Sequence, residues 1–294
     1  MFDLRYHVAS LAAVFIALVI GILVGVALAS HGLGNTERKS LEDDLRRAQI
    51  QNDVLQGKLE ALAETGAADK AFVENTYETV VANRLKGSRI AVLFIGSVDG
   101  ELRSAITSAI ADAGGGALRV RAVKVPIDPA ALTKRLTTRP PFLAAYAGRD
   151  QLTKLGHALG QEFVAGRDTP LWNTLQTLLV EERVGTPKLP ADGVVVVRTV
   201  SAQTGATALF LRGLYSGLRD VGVPAVGVER TGDGGSSIRA FQKMRLSTVN
   251  DIDEPVGKLA LAILLSDGRI AGDFGAPPAA TWLPTVTAIP TTGG

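Results

Sequence analysis

Hydroxyl, amide and carboxylate side chains recur just after three apolar runs of this sequence, and they are the groups with chemistry to offer. Arg89–Gly96 is followed by Ser97 and Asp99. Val194–Val200 carries Thr199 and leads to Ser201 and Gln203. Pro224–Val228 is followed by Glu229, Arg230 and Asp233. If the runs are parallel strands, these residues gather at the strand carboxyl ends, where a polar ligand is held or a proton moved. Helix capping and turns select the same residue types. The stretch Ile95-Gly-Ser-Val-Asp-Gly100 is a weak phosphate cradle whose ordinary reading is a cap. No GxGxxG, Walker loop, GxSxG or HExxH occurs. Ser97, Asp99, Ser201 and Glu229 are the pocket candidates; no catalytic or cofactor-binding residue is assigned, and the chain is expected not to be an enzyme.

Metal chemistry has little to draw on. Asn250-Asp-Ile-Asp-Glu254 could take a hard cation through its carboxylates, although such residues also cap a following helix and complement its dipole. Soft metals such as copper prefer thiolate, thioether and imidazole ligands. The chain has no cysteine, two methionines and three histidines, and His7, His31 and His157 stand far apart with no second ligand nearby. Missing cysteine also removes disulfides, zinc–thiolate sites and thiol catalysis. Thirty-one basic against twenty-nine acidic residues give a net charge of +2. With no basic block, no nucleic-acid partner is expected.

The elements that would position these groups begin with an anchor. Val8–Ala29 carries no charge and at ~1.5 Å per residue reaches ~33 Å, enough to cross a bilayer. Ala27-Leu-Ala29 resembles a signal-peptidase site, but the run exceeds a typical ~7–15-residue signal core and only Arg5 precedes it as a lysine or arginine, so a retained anchor is expected. Small residues recur every four positions, with Gly21 and Gly25 forming a GxxxG suited to close helix pairing in lipid.

Residues 31–86 read as a hinge and a stalk. Gly32 and Gly34 end the membrane helix, and Asn35 or Thr36 caps the next one. Leu41, Leu45, Ala48, Asn52, Leu55, Leu59 and Leu62 are spaced 4, 3, 4, 3, 4, 3, the pattern of a parallel two-stranded coiled coil with Leu45, Asn52 and Leu59 at a. A lone Asn at a bonds to its twin and fixes register and number. The alternative is an amphipathic helix folded on its own domain. Gly66 is expected to interrupt the seam, with a further helix over Asp69–Lys86.

Residues 87–275 alternate strands and helices. Strands are expected at Arg89–Gly96, Ala117–Val125, Val194–Val200 and Pro224–Val228, with an edge strand at Leu246–Val249. Helices are expected at Gly100–Ala113, Pro129–Leu136, Leu152–Ala165, Pro170–Glu182, Gly205–Val221, Ser237–Lys243 and Glu254–Leu265. The fold class is therefore α/β: a transmembrane anchor over 1–30, the coiled-coil stalk, and a mainly parallel, Rossmann-like three-layer domain. Residues 276–294, rich in Pro and Thr, are expected to be disordered, with Trp282 as the residue able to dock.

The opening Met1-Phe-Asp-Leu-Arg-Tyr-His-Val-Ala-Ser, running through Gly21 to Gly25, resembles the start of the actinobacterial MctB family, the mycobacterial copper transport protein B type. The likeness recurs at Ser247-Thr-Val-Asn-Asp-Ile-Asp-Glu-Pro-Val-Gly257 and at Gly272-Asp-Phe-Gly275. It implies a part in copper homeostasis at the cell envelope, with the domain beyond the cytoplasmic membrane; some relatives are implicated in envelope assembly and division through a membrane partner. Arg38, Lys39, Arg46 and Arg47 after the span would by themselves place the C-terminal side in the cytoplasm, and the resemblance overrides that count. Copper is implied by the resemblance alone. A homodimer, a membrane and a membrane or envelope protein are the partners expected.

Overall fold

The computed structural model describes residues 4–28, 34–138, 141–185, 188–232, 236–275, 279 and 281–285. The chain divides into two units, Met1–Lys70 and Ala71–Gly294. In the first, α1 spans Leu4–Leu28, and its stretch Ser10–Leu28 is long and apolar enough to cross a membrane, with none of it buried. A second helix, α2, spans Gly34–Val81 and crosses the boundary between the units. Asn35 and Thr36 lie inside it, so they are not its caps. Gly66 does not interrupt it either: one glycine costs a helix interior roughly 1 kcal/mol, and the Ala, Leu, Glu and Lys residues around it favour the helix. The expected hinge at Gly32 lies outside the described residues, and Gly34 is helical.

The seam residues Leu41, Leu45, Leu55, Leu59 and Leu62 are all exposed in the single chain. No atom comes within 4 Å of where a Cβ on Gly21 or Gly25 would stand.

The second unit is built on buried apolar runs. In chain order its elements are β1 (Arg89–Ile95), α3 (Gly100–Asp112), β2 (Gly116–Val123), α4 (Pro129–Thr138), α5 (Leu152–Ala165), α6 (Pro170–Leu179) and β3 (Val180–Gly185). They continue with β4 (Gly193–Arg198), α7 (Gly205–Arg219), β5 (Ala225–Val228), α8 (Ile238–Lys243), β6 (Ser247–Val249), α9 (Pro255–Ser266) and β7 (Asp273–Phe274). Among the described residues these strands form one sheet in the order β3-β2-β1-β4-β5-β6-β7. Every pairing is parallel except β2 with β3.

Both faces are covered, which is why β1 and β4 are apolar without alternation. Ala91, Leu93, Ile95, Val194 and Val196 pack with α4, α5, α6 and α7. Ile90, Val92, Phe94, Val195 and Val197 face α3, α9 and the last turn of α2, where Val81 is buried. Tyr77 of α2 donates its hydroxyl to Asp112 at 2.9 Å.

Three boundaries differ from expectation. The helix from Pro170 stops at Leu179, and Val180-Glu-Glu-Arg-Val-Gly185 is an antiparallel edge strand on which Glu181 and Arg183 are exposed. The strand at Ser247–Val249 is internal, because β7 pairs beyond it. Past Gly275, Thr281 bridges Phe274 and Trp282 is 55% exposed; residues 286–294 lie outside the described residues.

Helices α5 and α7 come into backbone contact. Gly156 and Gly160 face Gly213 and Gly217, and a Cβ on Gly213 or Gly217 would stand 2.0 Å from the carbonyl oxygen of Thr153 or His157. Only glycine allows the backbones to touch there.

Candidate functional site

The strand order reverses between β1 and β4, the place where an open parallel sheet leaves a crevice for ligands. Gly96 closes β1 with φ 102°, and a Cβ there would lie 2.6 Å from Val200 Cγ1 and 2.7 Å from Thr199 Oγ1. The Thr199 hydroxyl donates to the Ser97 carbonyl at 2.7 Å, and its backbone N–H donates to Ile95. Thr199 and Val200, just past β4, thus pack directly against the Gly96 backbone.

The pocket candidates are drawn into local bonding around the crevice. Asp99 caps α3 by accepting the Leu102 N–H at 2.9 Å, and Arg230 stands 3.8 Å from it while pairing with Glu101. Glu229 is buried. Its carboxylate accepts the Ser236 hydroxyl at 2.8 Å and the Ser237 N–H at 2.7 Å, tying the start of α8 to the end of β5. Ser201 is exposed, and its carbonyl accepts from Gln203 at 3.0 Å. Asp233 lies outside the described residues. The geometry is one of caps and loop clamps: Asp99 and Glu229 both spend carboxylate oxygens on backbone N–H groups.

The segment Asn250–Glu254 is likewise a clamp. Asp251 is 1% exposed, and its Oδ1 lies 2.6 Å from where a Cβ on Gly257 would stand and 2.4 Å from one on Gly275. Asp253 accepts the Thr231 N–H at 2.9 Å and its hydroxyl at 3.2 Å. The late Ser247–Gly257 and Gly272–Gly275 motifs thus meet in space, and glycine is required where they touch. Among the described residues no group of three or more His, Cys, Asp or Glu converges to hold a metal ion. His157 Nε2 stands 3.1 Å from Asp220 Oδ2. The Arg219 guanidinium, with His157 second, holds the Asp220 carboxyl below the usual carboxylate range. His31 and the side chain of His7 lie outside the described residues.

Sequence reasoning missed a buried cationic cluster. Arg119 and Arg121 of β2 are each 2% exposed. Arg119 donates to the Phe163 carbonyl at 2.9 Å, near the end of α5 where a cation complements the dipole, and to the Leu189 carbonyl. Arg121 lies 4.6 Å from the Trp172 ring centre and 5.6 Å from that of Phe163, cation–π distances. Burial brings its pKa down to about 10, with Arg183 and Arg119 adding to the effect and Glu162 opposing it. Glu162 accepts the N–H groups of Leu171 and Trp172 at 3.1 Å, capping α6 in place of Thr169. Burial raises its pKa against the pull of those bonds. The signal was the alternation Leu118-Arg-Val-Arg-Ala122, which puts both arginines on one face of a strand covered on both sides.

A family model described as "Copper transport outer membrane protein, MctB" matches residues 1–284. Proteins named "Copper transporter MctB" from Mycobacterium bovis and from two strains of Mycobacterium tuberculosis are 25% identical over 308 aligned residues. The alignment covers 94% of this chain and 96% of each relative. The apolar first helix, the long second helix and the whole sheet fall inside the matched span, and the chain belongs to the MctB family.

Proposed function

We propose that this chain serves copper transport or homeostasis at the cell envelope as a membrane-anchored parallel homodimer that scaffolds other proteins and is not itself an enzyme or the pore. The observation that carries the copper role is the family match from residue 1 to residue 284, with relatives named as copper transporters. The scaffold reading is supported by chemistry. Ser10–Leu28 contains no ionisable residue, so a pair of such spans offers no polar path for an ion, and the chain is poor in soft ligands. The engagement of Asp99 as a helix cap and of Glu229 as a loop clamp supports a non-catalytic domain, and the strand order supports its Rossmann-like reading. The homodimer is supported by the exposed heptad leucines around Asn52 and by Gly21 and Gly25. The domain lies on the extracytoplasmic side, in line with the family resemblance.

Deleting the gene should raise cell-associated copper, and restoring the full chain should return it to normal. Unchanged copper together with a division or envelope defect would instead favour an assembly scaffold with no copper role. Titrating Cu(I) into the full chain in detergent should reveal no tight stoichiometric site; finding one would overturn the scaffold reading. Crosslinking in cells should recover a membrane protein partner.

A further inference from the structure

Helix α2 carries a second, shorter apolar stretch besides the leucine seam, bounded by Arg47 and Glu64. Ile50, Val54, Gly57 and Ala61 stand nine residues beyond Leu41, Leu45, Ala48 and Asn52, which is about two and a half helical turns. They therefore line the side opposite the leucine seam, with the same 4, 3, 4 spacing. Ile50 is 56% and Val54 52% exposed, and nothing lies within 4 Å of a Cβ placed on Gly57.

Charge selects what this face accepts. With Val54 and Ala61 at a and Ile50 and Gly57 at d, the g positions are Lys39, Arg46, Asp53 and Glu60. The e positions are Asp44, Gln51, Lys58 and Thr65. In a parallel pair each g meets the partner's e five residues on. Lys39 then meets Asp44, beside the charged core positions Asp43 and Arg47 that precede the apolar stretch, and Asp53 meets Lys58 within it, both opposite in sign; Arg46 meets Gln51 and Glu60 meets Thr65, with no repulsion. The same count on the leucine seam gives Asp44 with Gln49, Gln51 with Gln56 and Lys58 with Ala63, none of them attractive. Asp44 also lies 3.4 Å from Arg47 of its own helix, with both side chains largely exposed. Such a surface contact is worth little and leaves Asp44 available.

We propose that this second face takes another copy of α2 in parallel, joining leucine-seam dimers side by side into rows in the membrane plane. The inference rests on the homodimer proposed above. Two self-complementary faces on opposite sides of one helix propagate a line rather than close a ring. Two large side chains beside a glycine and an alanine make a weak contact, which the high local concentration of anchored chains sustains.

The chain has no cysteine, so each introduced thiol reports on one contact. In vesicles of the full chain, Leu62→Cys should crosslink into dimers through the leucine seam. Val54→Cys should also crosslink, and faster than Gln49→Cys, which lies between the two faces. The double variant L62C/V54C should give a ladder beyond the dimer. Adding Lys58→Asp to Val54→Cys should abolish its crosslink while sparing that of Leu62→Cys, and the swap D53K/K58D should restore it. If Leu62→Cys crosslinks but Val54→Cys does no better than Gln49→Cys, the rows are overturned and the dimer stands. If neither crosslinks, the dimer itself fails and the rows with it.

Discussion

In the domain, Gly156 and Gly160 of α5 meet Gly213 and Gly217 of α7, backbone against backbone; in α1, Gly21 and Gly25 have the same spacing and meet nothing within the chain. The contrast separates what a glycine pair permits from what it causes. The spacing only lets two helices come close. In the domain, Phe210, Leu214 and Leu218 of α7 and Leu155, Leu159 and Phe163 of α5 are buried around the glycines, so water drives the contact. In a bilayer no such drive exists, and association rests on packing alone. The exposed leucines of α2 are a third condition: apolar groups that the single chain leaves in water.

The comparison is broken most sharply at Gly217. Gly217→Val drives side-chain atoms into the His157 carbonyl and should cost about 3 kcal/mol or more in denaturant unfolding of the domain. A loss below about 1 kcal/mol would show that α5 and α7 can part freely. Asn52→Leu works on the other unit. It should stabilise the proposed α2 pair by roughly 2 kcal/mol per buried leucine while loosening register or number, so sedimentation should detect species beyond the dimer. An unchanged dimer with unchanged crosslink alignment would count against Asn52 at an a position.

Acid sharpens the contrast. Asp192 accepts the N–H and guanidinium of Arg89 at the start of β1, and this bonding holds its carboxyl below the usual range. A depressed folded pKa contributes stability that is fully present above the unfolded value, about 4, and is lost as pH falls through the lower folded value. The pair is partly exposed, so screening limits the effect to about 0.5 kcal/mol, and Asp192→Asn should remove that part of the pH dependence. The proposed contact through Gly21 and Gly25 would involve no titratable group and should not respond over the same window. The smallest effect on folding is Gly25→Val, expected to shift domain unfolding by less than about 0.5 kcal/mol while weakening association in bilayers measured by energy transfer. Undiminished association would remove this glycine from the interface.

The central strands were legible because burial on both faces leaves no polar residue in Ile90–Ile95 or Val194–Val197. Edges were not. Val180–Gly185 carries two glutamates and an arginine and continues a helical run, and only its pairing with β2 makes it a strand. Gly66 was over-read, since local propensity is weak against a long helix of good formers. Among the site candidates, Asp99 turned out as the cap its position suggested. The bonding of Glu229 to Ser236 and Ser237 depends on a loop return that no spacing reveals. Arg119 and Arg121 stayed hidden because an alternating strand ordinarily turns its charges to water.

The sheet finishes its two sides by different means. On β3, Glu181 and Arg183 are exposed, and charge on an outer strand discourages another chain from adding to it. On β7 the cover comes from the chain's own continuation: Phe274 pairs with Thr281, and the Gly275 N–H is taken by the carbonyls of Thr281 and Trp282. A fragment trimmed after Gly275 would lose Thr281 and Trp282 and leave that border of the sheet open to another strand.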